Sequence, residues 1–329
     1  MPFRMRKLKD RTNRAAMNGR FSEYVLTDLA KWRSEGKRTA LLTLYNVEPT
    51  GPRPSGSQMA VSETGDFTGF LSGGCVEGAL VEEARAAMDA GENRSIRYGV
   101  NSPYFDIALP CGSAIDVYID IRFSDAHLQR LVAAMARRTP LRLITDMLTG
   151  VSDIKPADAD DQRMQLRLDG DTFDRLYRPP LRLVIAGKGP VVASSAVIAA
   201  ASDISAHVIT TEDDIAGLAK QAGADVSKTL KPGSIDTWTA VATLFHEHEL
   251  EGPVLSAAMQ SDAFYIGALG SRNTHAERVA RFLAEGFSEM DIKRIKGPLG
   301  ISIGSRNPPE IAISMVAEVL KTYRERFPV

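Results

Sequence analysis

The chain has 329 residues, 44% hydrophobic and 25% charged, which suits about two soluble domains of ~150 residues, each able to bury a core. Forty basic residues against 41 acidic ones leave a net charge of -1, which argues against a dedicated nucleic-acid binder, and no apolar run approaches the ~20 residues that span a bilayer. Two cysteines are too few for a disulfide framework or a four-cysteine zinc site and fit a reducing cytoplasm.

In chain order, residues 1–20 read as a basic, flexible arm (Arg4, Arg6, Lys7, Lys9, Arg11, Arg14). No apolar stretch follows the charges, so a secretory signal is not expected. The spacing of Tyr24, Val25, Leu29 and Trp32 predicts a helix over 21–34, stopped at Gly36. A buried strand is expected over 39–45. An irregular loop follows, because three prolines and two glycines fall within 49–56. Residues 59–62 and 67–71 read as strands around a Glu63-Thr64-Gly65-Asp66 turn. Ser72-Gly73-Gly74-Cys75 opens a helix over 76–90. Strands over 96–98 and 114–121 flank Leu109-Pro110-Cys111-Gly112. A helix over 125–137 and a strand over 141–145 complete an N-terminal domain of residues 21–150 with mixed α/β character.

Residues 151–178 carry seven aspartates and few bulky apolar residues, so they read as a connector. Met164, Leu166 and Leu168 alternate ahead of Asp169-Gly170, which predicts a hairpin inside it. From 179 to 329, strands are expected over 181–186, 207–211, 240–245 and 265–269. Helices are expected over 190–201, up to 222, over 253–260, after Ser271 and after Asn307. That alternation predicts a parallel sheet covered on both faces, a Rossmann-like domain, and an α/β fold overall.

The candidate chemistry lies mostly in turns. Gly187-x-Gly189 follows a strand and opens a helix, where small residues let the backbone approach a phosphate. A tight turn without a ligand is the other reading. Val192 occupies the third small position of a dinucleotide fingerprint. Thr211 stands where an acid would hold a ribose, with Glu212 and Asp213 just beyond, which weakens a nicotinamide reading. Gly270-Ser271-Arg272 and Gly304-Ser305-Arg306 each follow a strand-like run and precede a helix. They offer N–H groups, a hydroxyl and a guanidinium to an anion. Asn307 and Glu310 fit a helix cap. Parallel strands end on one edge, so these turns are expected to converge near Gly187.

His246-Glu247-His248 ends a predicted strand, and alternation would put both imidazoles on one face. That permits a metal or, without an obvious third ligand, hydrogen bonding in a pocket. Cys75 and Cys111 sit in glycine-flanked turns. An inert core cysteine is one reading. The other is a functional thiol, favoured at Cys75 by the helix N-terminus.

These segments resemble, in order, the motifs of the xanthine dehydrogenase accessory protein family (XdhC/CoxI-like). The resemblance is carried by Thr50-Gly51-Pro52-Arg53-Pro54-Ser55-Gly56-Ser57-Gln58-Met59, Ser72-Gly73-Gly74-Cys75-Val76-Glu77-Gly78 and Leu109-Pro110-Cys111-Gly112. It continues through His246-Glu247-His248-Glu249-Leu250, Tyr265-Ile266-Gly267-Ala268-Leu269-Gly270-Ser271-Arg272 and Gly286-Phe287-Ser288. It ends at Gly297-Pro298-Leu299-Gly300 and Ile303-Gly304-Ser305-Arg306-Asn307-Pro308-Pro309-Glu310-Ile311-Ala312. Ser113, Glu247 and Thr211 depart from the usual pattern.

The resemblance implies an XdhC/CoxI-type domain joined to a Rossmann-like domain. It also implies an insertion chaperone rather than a turnover enzyme. Such a protein binds the molybdenum cofactor (molybdopterin), protects it during sulfuration and delivers it to a xanthine dehydrogenase-type molybdenum hydroxylase. Cys75 and Cys111 are implied as cofactor ligands facing molybdenum, since thiolates suit a soft metal–sulfur centre. Gly187, Gly189, His246, His248, Gly270, Ser271, Arg272, Ser305 and Arg306 are implied as further cofactor-binding residues. The arginines would take the pterin phosphate or its nucleotide extension. The implied partners are the hydroxylase client and a cysteine desulfurase as sulfur donor. A cytoplasmic homodimer without nucleic-acid or membrane contacts is the expected setting. Two other readings stay open, an NAD(P)-dependent oxidoreductase and a nucleotide-binding interaction module.

Overall fold

A computed structural model describes residues 24–51, 53–102, 112–157, 165–245 and 248–328, with backbone alone at 248 and 249. The arm at 1–20, Cys111 and His246 lie outside the described residues. The chain divides into two units. One comprises residues up to 132 with 144–153 and 168–174, the other 133–143, 154–167 and everything from 175.

In the first unit, five antiparallel strands form a sheet in the order β3-β2-β1-β5-β4. They are β1 (Thr39–Glu48), β2 (Gln58–Ser62), β3 (Phe67–Gly69), β4 (Arg94–Gly99) and β5 (Ala114–Asp120). β5 is buried along its whole length, and β1 along its first six residues. This is why both read as near-continuous apolar runs rather than alternating ones. β1 extends three residues past its expected end at 45 because Glu48 pairs with Ala114 of β5. Helix α1 (Leu26–Ser34) buries Leu26 and Leu29. Helix α2 (Glu77–Ala90) sends Leu80, Val81, Ala84, Ala87 and Met88 into a core with Leu42, Met59 and Val117. That spacing is one apolar stripe of an α-helix.

The pairings Met59 with Gly69, Glu48 with Ala114 and Gly99 with Ala114 put one set of strand ends together. The segments after β1, β3 and β4 therefore leave from the same end of this sheet.

Helix α3 (Asp125–Ala136) leads to four strands in the order β7-β6-β9-β8: β6 (Leu141–Asp146), β7 (Ser152–Pro156), β8 (Leu166–Asp169) and β9 (Thr172–Tyr177). β8 and β9 are joined through Gly170, whose φ of 56° suits a tight hairpin turn.

The second unit carries a six-stranded sheet in the order β12-β11-β10-β13-β14-β15, parallel throughout. The strands are β10 (Arg182–Gly187), β11 (Ser205–Ile209), β12 (Asp225–Ser227), β13 (Thr239–Leu244), β14 (Tyr265–Ala268) and β15 (Ile295–Lys296). β12 and β15 have three and two residues, too few to produce a readable period. Leu183 and Ile185 face one core, Val184 and Ala186 the other, as the two-residue period of a strand requires. Helices α4 (Pro190–Ala201), α5 (Asp213–Gln221) and α9 (Pro308–Arg326) cover the first face. Helices α6 (His248–Met259), α7 (Arg272–Ala284) and α8 (Glu289–Ile292) cover the second. Strand order reverses between β10 and β13, the switch point of a doubly wound sheet. Among the described residues, no helix is long and apolar enough to cross a membrane.

Three local expectations change. α6 begins at His248, five residues before the expected start at 253. Pro253 lies in its second turn, where the ring removes one amide without ending the helix. His248 is therefore helical rather than the end of an extended segment. Residues 301–303 are irregular rather than a strand, so Gly304 follows a loop from β15.

Candidate functional site

At the strand end just described, α2 begins with a buried glutamate. The Glu77 carboxylate accepts hydrogen bonds from the N–H groups of Leu71 (3.0 Å), Ser72 (2.9 Å) and Gly74 (2.9 Å) and from Ser72 Oγ (2.7 Å). Ser72 Oγ in turn accepts from the N–H groups of Cys75 (3.0 Å) and Val76 (3.1 Å). Gly73 and Gly74 have φ of 98° and 109°, backbone that a side chain would strain. The turn therefore wraps around the protein's own carboxylate. Burial pushes the Glu77 carboxyl up, but the Ser72 hydroxyl and the N–H donors outweigh it and hold the group below the usual range. The amides of Leu71, Ser72, Gly74, Cys75 and Val76 are thus bonded within the turn, while Cys75 is exposed with a free thiol.

The neighbouring segments are also tied down. The Arg53 guanidinium lies 4.4 Å from the Phe70 ring centre, a cation–π contact. Arg97 donates to Glu48 (2.6 Å) and Asp116 (2.7 Å), and Asn46 donates to Asp116 (2.8 Å). Arg97 Nε also donates to the Val100 carbonyl, and Ser102 Oγ donates to the Arg97 carbonyl. These bonds anchor the chain where it leaves β4 toward Cys111.

In the second unit, Gly187 is set by packing. A Cβ there would lie 2.6 Å from the Leu244 carbonyl oxygen, so β10 and β13 approach closely only with glycine. The Gly189 N–H donates to Glu212 Oε2 at 2.6 Å, and the Lys188 N–H to the Leu244 carbonyl at 3.4 Å. A carboxylate thus stands at the amide where a phosphate was expected.

Ser271 caps α7. Its hydroxyl accepts from the Thr274 N–H at 3.1 Å, and Thr274 Oγ1 accepts from the Ser271 N–H at 3.3 Å, a capping box. The chain entering this turn is fixed by a buried ion pair. Arg278 donates to both oxygens of Glu251 (3.0 and 3.1 Å) and to the Leu269 carbonyl (2.8 Å). Before α9, the Arg306 N–H donates to Glu310 Oε2 (2.6 Å), Asn307 and Glu310 cap each other, and Ser305 Oγ donates to the Glu310 carbonyl. The side chains of Arg272 and Arg306 are exposed.

Residues 183–319 match the XdhC Rossmann domain, and residues 32–99 match the XdhC and CoxI family. Over 284 residues the chain is 35% identical to the molybdenum cofactor insertion chaperone PaoD of Escherichia coli (strain K12), covering 86% of this chain and 83% of that protein. The chain belongs to the XdhC and CoxI family. It is also 25% identical over 323 residues to a probable xanthine dehydrogenase subunit of Bacillus subtilis (strain 168), covering 87% and 93%. A crystal structure described as a xanthine dehydrogenase from Bacillus halodurans shares the fold, with a TM-score of 0.73 at 22% identity over 94% of this chain and 97% of that one.

Within this XdhC and CoxI family chain, the predicted residues separate by location. Cys75 belongs to the first unit. Gly187, Gly189, Gly270, Ser271, Arg272, Ser305 and Arg306 belong to the second. The turns after β10, β13 and β14 leave from one sheet edge, as a parallel sheet requires. Cys111 and His246, and the side chain of His248, lie outside the described residues. Among the described residues, no three of His, Cys, Asp and Glu are grouped to hold a metal ion. Neither the bonding of Glu77 to its own turn nor that of Glu212 to the glycine turn is expected from the sequence. The position of Glu77 at the head of a helix, five residues after a serine, is the signal that could have found its role.

Proposed function

We propose that this chain binds the molybdenum cofactor and hands it to a molybdenum hydroxylase client of the xanthine dehydrogenase type. The observation that carries the reading is the exposed Cys75 thiol on a turn clamped by Glu77, in a family whose member PaoD is named an insertion chaperone. The cofactor is cargo here, not a resident group. A cargo must be gripped and released, and an exposed thiol on a rigid turn suits both. A thiolate is a soft ligand matched to molybdenum–sulfur chemistry. Cys111 is assigned as the second thiol by its position in the motif. The turn itself does no chemistry. Glu77 and Ser72 take the amides of Leu71, Ser72, Gly74, Cys75 and Val76, and the exposed thiol is the group offered to the cargo.

The finer parts of the reading are also proposals. The cofactor is protected while its terminal sulfur is installed, with a cysteine desulfurase as donor. The chain acts as a cytoplasmic homodimer. In the second unit, Arg272 and Arg306 are the exposed cations suited to the pterin phosphate. Ser271, Ser305 and Gly187 shape the turns that carry or neighbour them.

An anaerobic retention assay tests this. The full chain is incubated with freshly released cofactor and desalted, and bound molybdenum and pterin are quantified. Wild type is expected to retain both. Cys75→Ala and Cys111→Ala should lose molybdenum while keeping the wild-type unfolding midpoint, and Arg272→Ala should weaken pterin retention. Folded wild type that retains neither would remove the proposal.

A further inference from the structure

Helix α4 carries no charged residue from Pro190 to Ala201. It turns Val192, Ala193, Ser195, Ala196 and Ala199 to the sheet, all buried. The opposite face carries Pro190, Ser194, Val197 and Ala201, one stripe at helical spacing. Pro190, Val197 and Ala201 are exposed and Ser194 is half-buried. A helix covering a sheet normally turns charged side chains to water, and one that is apolar all round is covered on both sides. α4 is the middle helix of its layer, flanked by α5 and α9. α9 extends the apolar surface with Ile313, which is 50% exposed, as Val197 is at 51%. Ile301 lies beside it, because its N–H donates to the Ser314 carbonyl of α9 at 3.2 Å. Grouped exposed aliphatic side chains of this kind mark an interaction surface.

The charges in the end turns of the flanking helices are sorted by sign. The three helices run the same way, back along a parallel sheet, and α9 finishes with Phe327 against Trp238, just before β13. The first turns of α5 and α9 hold Asp213, Asp214 and Glu310. Their last turns hold Lys220, Arg324 and Arg326. Glu325 is the exception, and it lies 3.9 Å from Lys321 one turn before it. The layer is therefore acidic at the helix starts, basic at the helix ends and apolar between.

We propose that this face joins two copies of the chain, with each of α4, α5 and α9 antiparallel to the same helix of the second copy. A two-fold interface has to be complementary to itself. Turning the layer end for end sets each acidic start against a basic end, with Val197 and Ile313 enclosed between. A two-fold axis along the helices would instead stack like charges. Ser194 and Ala201 are small, so the two α4 backbones can approach closely. Three helices about 10 Å apart and about 20 Å long present roughly 600 Å², on the scale of the ~800 Å² that each partner gives to a standard interface. The inference rests on the homodimer reading and assigns the surface that makes it.

Sedimentation equilibrium of the full chain and its variants tests it. Val197→Glu is expected to raise the dimer dissociation constant about 100-fold, because symmetry brings two unpaired charges into one apolar face. Its far-UV circular dichroism should match wild type, since the position is already half exposed. Arg324→Glu/Arg326→Glu should raise the constant about tenfold at low salt and little at 1 M salt, where exposed charges are screened. In a Cys75→Ser/Cys111→Ser background, Val197→Cys should give a disulfide-linked dimer on mild oxidation. Leu283→Cys, at a 45% exposed position of α7 on the other side of the sheet, should not. Wild type at a single-chain mass at every concentration overturns the homodimer and this face together, and leaves the helices to another occupant. A wild-type dimer that persists in Val197→Glu and is not cross-linked through Val197→Cys overturns this face alone. A dimer indifferent to the arginine reversal at low salt overturns the antiparallel arrangement.

Discussion

Glu77 occupies the first position of α2, where a negative charge already suits the helix N-terminus, and its carboxylate also gathers the Leu71, Ser72 and Gly74 amides. Glu77→Gln keeps the shape but gives one arm a donor facing other donors. A loss of about 1–3 kcal/mol is expected, the cost of leaving such buried groups unpaired. Urea unfolding at neutral pH measures it. The folded carboxyl lies below its ordinary value, so its stabilisation is present above the unfolded pKa of ~4.3 and is lost as pH falls through the folded value. Wild type should therefore lose more stability in acid than the glutamine variant, and equal acid sensitivity would contradict the role. Asp120 behaves oppositely. Burial pushes its carboxyl up to about 6, against a hydrogen bond from the Arg122 N–H. Its favourable contribution is complete below ~3.9 and is lost as pH rises through the folded value. Asp120→Asn should be more stable than wild type at pH 7 by about 1–3 kcal/mol, with the difference vanishing below about pH 4.

Elements are held in place by contacts remote in sequence. Glu251 of α6 and Arg278 of α7 are each 1% exposed at the side chain, and Arg278 also ties the end of β14 through Leu269. Arg278→Ala would take the bidentate partner from the buried Glu251 carboxylate and leave it the Arg281 guanidinium at 3.3 Å, at a cost of up to about 3–5 kcal/mol. A Glu251→Leu/Arg278→Met double variant should recover most of it, because a well-packed apolar pair avoids the desolvation penalty. Urea midpoints of the two variants decide this. The turn between β14 and α7 separates structure from binding in adjacent residues. Ser271→Ala should cost about 1 kcal/mol through the lost cap. Arg272→Ala should leave the midpoint unchanged, since its guanidinium is exposed.

At the scale of the molecule, charge is close to balance, and the sequence pI of about 6.5 puts the solubility minimum near neutral pH. Light scattering is expected to be highest there and to fall on either side. Sedimentation equilibrium at twice the chain mass is the expected result for the proposed homodimer, and a single-chain mass at all concentrations would remove it. The chain passes between the units within 133–174, a stretch that holds the end of α3, the strands β6, β7 and β8, and the start of β9. Of these, β6 and the β8–β9 hairpin are expected from the sequence, and the aspartate-rich composition conceals β7. β7 and β8 each bury a single residue, so apolar periodicity has little to report.

The sequence by itself determined the elements whose pattern is local. The two-residue period of β10, the apolar stripe of α2, the Asn307 and Glu310 cap of α9 and the alternation behind the Rossmann sheet all come from neighbours along the chain. The order of the family motifs was legible for the same reason. Only the tertiary structure decided what the glycine turns are for. Gly187 answers to Leu244, Gly189 to Glu212, and the end of β14 to a pair 27 positions apart in sequence. Spacing along the chain encodes which face a residue takes in its own element. The partner it meets there is set by packing between elements, where steric fit and buried hydrogen bonds select among many sequences of the same pattern.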